Sequence, residues 1–170
     1  MSLADTLFVG QGILRFAETN STNQFLKETI QGRSIPEGFT LNTQYQKSGR
    51  GQTGEYWESS PGLNLLQSTF FKPQFLPARY AFALSMSVCL ALRDMSRELG
   101  LSTLVKWPND LLLPGGGKIA GVLIENQIAG KYLEGSIVGI GLNVNQKEFT
   151  FRQASSLSLA TGKDWPLSQV

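Results

Sequence analysis

The chain has 170 residues, a formal net charge of +2 and a hydrophobic fraction of 41%. That composition supports one domain with a sizeable core, argues against disorder, and leaves too little net charge to imply a nucleic-acid partner, so any cationic site must be local. Histidine is absent and Cys89 is the single cysteine, which removes Ser-His-Asp and Cys-His catalysis, His-ligated zinc and any intrachain disulfide.

The apolar stretches fall short of a membrane span, and MSLADTLFVGQG lacks the charged-then-apolar order of a signal peptide. ILRFAET, near Ile13 to Thr19, reads as a strand. Ser21 to about Gln31 reads as a short helix, with Ser21 as N-cap, Gln24 placed as in a capping box, and Phe25, Leu26 and Ile30 on the apolar face. GFTLNTQYQ alternates as a strand does. The glycine-rich stretch QYQKSGRGQTGEYW follows, and LNLLQSTFF is another strand. Pro77 opens a long helix, about Ala78 to Leu99, with Phe82, Met86, Leu90 and Met95 near helical spacing and Gly100 at its end. Within it, Cys89 reads as a small buried hydrophobe, in keeping with a reducing cytoplasm. TLVKWPNDLLL reads as a strand broken by Pro108. GKIAGVLIE and YLEGSIVGIGLNV read as core strands of a hairpin joined by NQIAGK. At the end, Asp164 and Pro166 look like the start of a helix that has no room to continue. The chain is therefore expected to be a piece of a longer polypeptide.

Four clusters can carry chemistry. Ser21-Thr22-Asn23 gathers three hydrogen-bonding side chains at a strand-to-helix turn; they either cap the helix or face a ligand. The glycine-rich loop carries Lys47, Gly49, Arg50, Gly51, Gly54 and Trp57. Arg50, flanked by glycines, can meet an anion while backbone amides approach it, and Trp57 either packs in the core or covers a ligand. Lys106 and Asp110 flank Trp107-Pro108-Asn109; they either pair with each other, or face an anion and a cation or polar ligand atom respectively. Lys118 follows three glycines, but Ile119 after it breaks the P-loop pattern, and alone GGGK is most simply a turn. Together, cations at glycine- and proline-marked places without histidine suit a reaction between two anions, such as a carboxylate attacking a phosphate. Cations would gather the reactants and stabilise departing pyrophosphate, and a carboxylate needs no general base.

In this order and spacing, GRGQTGEYWESSPGLNL, KWPNDLLL, GKIAGVLIE and GIGLNVN resemble the central domain of biotin protein ligases, and the STN ahead of them matches that family's early substrate-contact motif. The resemblance runs from Ser21 to about Asn145, and KWPND followed by GKIAGVLIE is its most specific part. It implies an α/β (α+β) fold over residues 1–170 as a single catalytic domain, with a mixed sheet flanked by helices, related to class II aminoacyl-tRNA synthetases and lipoate ligases. It implies an ATP-dependent ligase that joins biotin and Mg-ATP into biotinyl-5'-AMP and passes biotin to a lysine of a carboxyl carrier domain. ATP, Mg2+ and biotin are thus expected ligands, the carrier an expected partner, a homodimer through the central sheet a further one, and the cytoplasm the expected compartment; no membrane or nucleic-acid partner is expected, and no repressor role. By motif, Ser21, Thr22, Asn23, Gln46, Gly49, Arg50, Gly121 and Leu123 would contact biotin. Gly51, Gln52, Trp57, Lys118 and Asn143 would contact ATP or the adenylate. Arg50, Lys118 and Asp110 would serve the reaction, with Lys106 in support, and no protein metal ligands are expected. The loop departs from the family's GRGRxGRxW at Gln52 and Glu55, where arginines would stand, which implies weaker retention of the adenylate or charge balance from Lys47 or Mg2+. The rival readings are a lipoate or octanoate protein ligase, whose motifs commonly include a histidine, and a non-catalytic module binding biotin or adenylate.

Overall fold

The computed structural model describes residues 9, 10 and 12–170. Most of the N-terminal stretch read above for a signal peptide lies outside the described residues. The elements in chain order are β1 (Ile13–Phe16), α1 (Thr22–Gly32), β2 (Thr40–Thr43), β3 (Asn64–Phe71), α2 (Phe82–Glu98), β4 (Leu104–Lys106), β5 (Asp110–Leu112), β6 (Lys118–Ala129), β7 (Tyr132–Asn143) and α3 (Leu157–Thr161). They form a seven-stranded sheet in the order β1-β2-β3-β7-β6-β5-β4. The β1–β2 pair is parallel and the others antiparallel, so the sheet is mixed, as expected.

The sheet is covered on both faces because successive side chains of a strand point opposite ways. In β7, Ile137 packs with Leu26 of α1, while its neighbour Val138 packs in the cluster of Cys89 and Leu92 from α2, Val122 from β6, and Leu157 and Trp165. A strand buried on both sides reads as a nearly continuous apolar run, which is how YLEGSIVGIGLNV reads.

Ser21 caps α1 as expected, its Oγ accepting the Gln24 amide at 3.5 Å. The reciprocal half of the capping box is not formed: the Gln24 side chain donates to Glu28 instead. Pro77 opens a short 3-10 turn, Ala78–Tyr80, before α2 begins. Most of the stripe expected on α2 turns outward: Phe82, Met86 and Leu90 are exposed, Met95 alone of the four packs against the core, and Ser85, Cys89, Leu92 and Ser96 face the sheet. Small side chains let the helix approach closely, and Ser85 donates to the Pro108 carbonyl at 2.9 Å.

The strand broken by Pro108 is a tight hairpin, β4–β5, turning through a cis Trp107–Pro108 bond. The β6–β7 hairpin is longer than read: β6 runs on through NQIA to Ala129, and Gly130 and Lys131 form the turn. Gly130 has a φ of 61°, which glycine adopts without the clash a Cβ would bring. At the end, Asp164 pairs with Lys147 at 2.9 Å rather than capping a helix, and only a 3-10 turn, Leu167–Gln169, follows.

Candidate active site

The glycine-rich stretch is itself a small hairpin. Arg50 bridges to Tyr56, the Trp57 amide donates to the Gly49 carbonyl at 2.9 Å, and a 3-10 turn at Gln52–Gly54 closes the tip. Its stem is tied to the start of α1, where the amides of Lys47 and Ser48 donate to the carbonyls of Thr19 and Asn20. The hairpin therefore lies over the N-terminal end of α1 and the middle of β6 and β7.

Between them is one pocket. Ser21, Thr22, Asn23, Gln46, Arg50, Gly51, Gln52, Trp57, Lys118, Gly121 and Leu123 all line it, and so do six residues the sequence reading did not single out: Tyr56, Asn109, Val122, Gly139, Ile140 and Gly141, together with Glu55. Three expected site residues do not line it: Gly49, Asp110 and Asn143. Gly49 sits behind the wall, where a Cβ would strike the Trp57 carbonyl. Asp110 stands beside Lys118, with 2.7 Å between Oδ1 and Nζ. Of the readings left open for Lys106 and Asp110, Asp110 facing a cation is the one observed; Lys106 is exposed. Asn143 is buried and donates to the carbonyls of Lys118 at 3.4 Å and Ser155 at 3.0 Å, so it holds the backbone that carries Lys118. Lys47 does not line the pocket and pairs with Glu18 at 2.6 Å.

The polar end of the pocket is a fixed network. The Thr22 amide and hydroxyl donate to Gln46 Oε1 at 2.8 and 3.0 Å. That fixes the Gln46 amide orientation and leaves Nε2 as its donor for a ligand. Ser68, fully buried on β3, donates to Asn23 Oδ1 at 2.6 Å, and Asn23 Nδ2 donates to the Leu123 carbonyl and to Glu125, each at 3.2 Å. Both polar atoms of Asn23 are thus engaged by protein. Gly139 makes room for Asn23, since a Cβ there would strike Oδ1.

The floor of the pocket is a pair of glycines. Gly121 and Gly141 face each other across β6 and β7, and the Trp57 indole lies against both. Lys118 Nζ stands 5.6 Å from the indole centroid, close enough for a cation–π contact. Trp57 Nε1 is buried without a partner among the described residues. Of the two readings for Trp57, the structure puts it in the pocket wall.

Arg50 is anchored rather than free. Nη1 donates to Gln24 Oε1 at 3.0 Å, and Nη2 lies 3.5 Å from Glu125 Oε1. Glu125 also receives Lys27 Nζ at 3.3 Å. Burial pushes the Glu125 carboxyl up, but the hydrogen bonds from Asn23 and Lys27 and the charges of Arg50 and Lys27 outweigh it, so its pKa lies below the usual carboxylate value. The sequence reading missed Glu125. The alternation of β6 could have found it, because Gly121, Leu123 and Glu125 share one face. No group of three or more His, Cys, Asp or Glu side chains stands together among the described residues.

The sequence model of the Biotin/lipoate A/B protein ligase family matches residues 16–143. The chain belongs to this family. It is 30% identical over 164 residues to the bifunctional ligase/repressor BirA of Bacillus spizizenii, covering 93% of this chain and 50% of that protein. It is 33% identical over 135 residues to the biotin--[acetyl-CoA-carboxylase] ligase of Mycobacterium tuberculosis, covering 76% and 48%. Among solved structures, the biotin protein ligase of Aquifex aeolicus in complex with biotin and ATP superposes with a TM-score of 0.78 at 29% identity, covering 94% of this chain and 65% of that one. The chain thus spans about half the length of the curated relatives it matches.

Proposed function

We propose that this domain carries the ligand-activating site of a biotin protein ligase. The supporting observation is the gathering of Thr22, Gln46, Arg50, Trp57, Lys118, Gly121 and Leu123, distant in sequence, around one pocket. Gln46 Nε2, Thr22, Ser21, Gly121 and Leu123 would receive the biotin head, with Asn23 and Gly49 shaping that end. Gly51, Gln52, Trp57 and Lys118 would take the nucleotide, with Asn143 acting through the Lys118 backbone. The unpartnered Trp57 Nε1 is a donor that a ligand oxygen would satisfy.

The biotin carboxylate would attack the ATP α-phosphorus, forming the mixed anhydride and releasing pyrophosphate. The amine of a carrier lysine would then attack the acyl carbon and release AMP. Arg50 and Lys118 would bring the two anions together and stabilise the charge on the departing group. Asp110 would act as a positioning residue, holding Lys118 Nζ. Magnesium would arrive on the nucleotide's phosphates, since the described residues offer no clustered carboxylates to cage it. A carrier domain, a homodimer, a cytoplasmic setting and a longer parent chain belong to the same proposal. No helix among the described residues is long and apolar enough to cross a membrane.

Mass spectrometry of the chain with Mg-ATP and biotin, lipoate or octanoate in parallel tests this. Biotinyl-AMP formed with biotin alone is the expected result. An adenylate of lipoate or octanoate instead would move the domain to the other branch of the family. Binding of biotin with no adenylate would reduce it to a binding module.

A further inference from the structure

The loop's cation is held by a carboxylate that the functional reading leaves unused. Glu125 is the least exposed charged member of its cluster: its side chain is 20% exposed, against 44% for Arg50 and 43% for Lys27. It stands on β6, fixed by pairing with Ile137 of β7. One carboxylate on β6 therefore reaches two further elements. Its Oε2 receives Asn23 on α1, and its Oε1 lies near Lys27 on α1 and Arg50 on the loop hairpin. Gln24 completes the hold from α1, accepting from Arg50 Nη1. Two contacts dock this hairpin over the pocket: the indole of Trp57 on the glycine floor and the guanidinium of Arg50 on Glu125 and Gln24.

We infer that Glu125 is a positioning residue, which docks the loop over the pocket through Arg50 and presents that guanidinium, already oriented, to the substrate's carboxylate. Arg50 keeps donors to spare after these contacts, because a guanidinium carries more N–H groups than the two engaged. Holding it in advance removes the ordering of a long side chain from the binding step. The docking half of this inference concerns the empty protein alone; the presentation half rests on the proposed function.

Chymotrypsin cleavage at Tyr56 and Trp57 reads the docking without any ligand. Glu125→Ala should speed cleavage there about fivefold, the effect of losing one partly screened ion pair. Glu125→Gln, which keeps an acceptor but not the charge, should fall between. Arg50→Ala should speed it similarly, and adding Glu125→Ala to Arg50→Ala should change the rate by less than about twofold, since the two residues act as a unit. A wild-type rate in Glu125→Ala, or an equal further increase in the Arg50→Ala background, would overturn the inference. Calorimetry then reads presentation: Glu125→Ala should weaken biotin about fivefold in the wild-type background and little in Arg50→Ala. If the wild-type chain binds no biotin, the proposed function fails while the cleavage rates still decide the docking.

Discussion

A methyl group at Gly141 should undo the seat of the loop. Gly141 lies mid-strand in β7, opposite Gly121, and its φ is outside the left-handed region, so alanine fits the backbone there. Space is what forbids it. A Cβ at Gly141 would strike Trp57 Cε2 and stand 2.7 Å from Cζ2 and 2.8 Å from Nε1. These are ring atoms of a rigid side chain, so the indole must leave or the strand must shift. Overpacking of this kind costs about 1–3 kcal/mol. Alanine regains about 0.5–1 kcal/mol over glycine in a strand interior. The net expectation for Gly141→Ala is a loss of up to about 2.5 kcal/mol, from the difference of those two terms. Urea unfolding followed by circular dichroism measures it. Removing the indole reverses the sign: in a Trp57→Ala background, Gly141→Ala should be neutral or stabilising by up to about 1 kcal/mol. Equal destabilisation in both backgrounds would refute the reasoning, because Gly141 would then be needed for the sheet and not for Trp57.

The remaining expectations follow from the charged groups. Glu125 has a folded pKa below its unfolded one, so the unfolded state binds the extra proton and the stabilisation is present above the ordinary carboxylate pKa and lost as pH falls through the lowered value. The stability gap between wild type and Glu125→Gln should therefore be full at neutral pH and close in acid; a gap independent of pH would count against the ion pairs with Lys27 and Arg50. Cys89 is pushed the other way, its thiol pKa raised chiefly by burial, with the Ser85 hydrogen bond opposing and the Asp110 charge adding to it. A thiol reagent at mildly alkaline pH should leave the folded protein unlabelled and react on unfolding. Gln52→Arg places a charged donor on the pocket wall, where Gln52 already stands. One charge-assisted hydrogen bond of about 1.5 kcal/mol should slow adenylate release about tenfold, and an unchanged release rate would sink that expectation.

What the sequence made legible depended on how local the signal was. The strands β3, β6 and β7 declared themselves because half-buried or fully buried strands leave an alternating or continuous apolar pattern. The start of α1 did so because Ser21 is both cap and boundary. In α2 the pattern misled, since the sheet-facing side carries Ser85 and Ser96, whose hydroxyls bond the carbonyls of Pro108 and Leu92 and so bury well. The short α3 was missed: five residues give too little period to detect, and fully buried Leu157 holds it in place. In the site, Thr22, Gln46, Arg50, Trp57, Lys118, Gly121 and Leu123 were found through motifs. Gly139 and Gly141 were not, because a glycine in a strand shows its purpose only when the group above it is known. Lys118, eight positions on, was invisible as the partner of Asp110 until the β5–β6 pairing brought them together.

The charges of the pocket share one construction. Arg50 and Lys118 are the lysine and arginine side chains that line it. Each is met by a carboxylate from the sheet, Arg50 by Glu125 on β6 and Lys118 by Asp110 on β5, and neither carboxylate lines the pocket itself. Two unpaired cations lining one pocket would repel each other and favour an open loop. Pairing each with a carboxylate behind it lowers that repulsion while the cation still faces the cavity. On the proposed function, an arriving pair of anions would meet two paired cations without displacing Glu125 or Asp110. The arrangement also divides the two roles by rigidity. Asp110 and Glu125 stand on strands and keep their places, whereas Arg50 rides on a glycine-rich hairpin and Lys118 opens its strand directly after three glycines with φ between 87° and 103°. The carboxylates stand behind the two cations, and on the proposed function those held cations would meet the reacting carboxylate and the departing pyrophosphate.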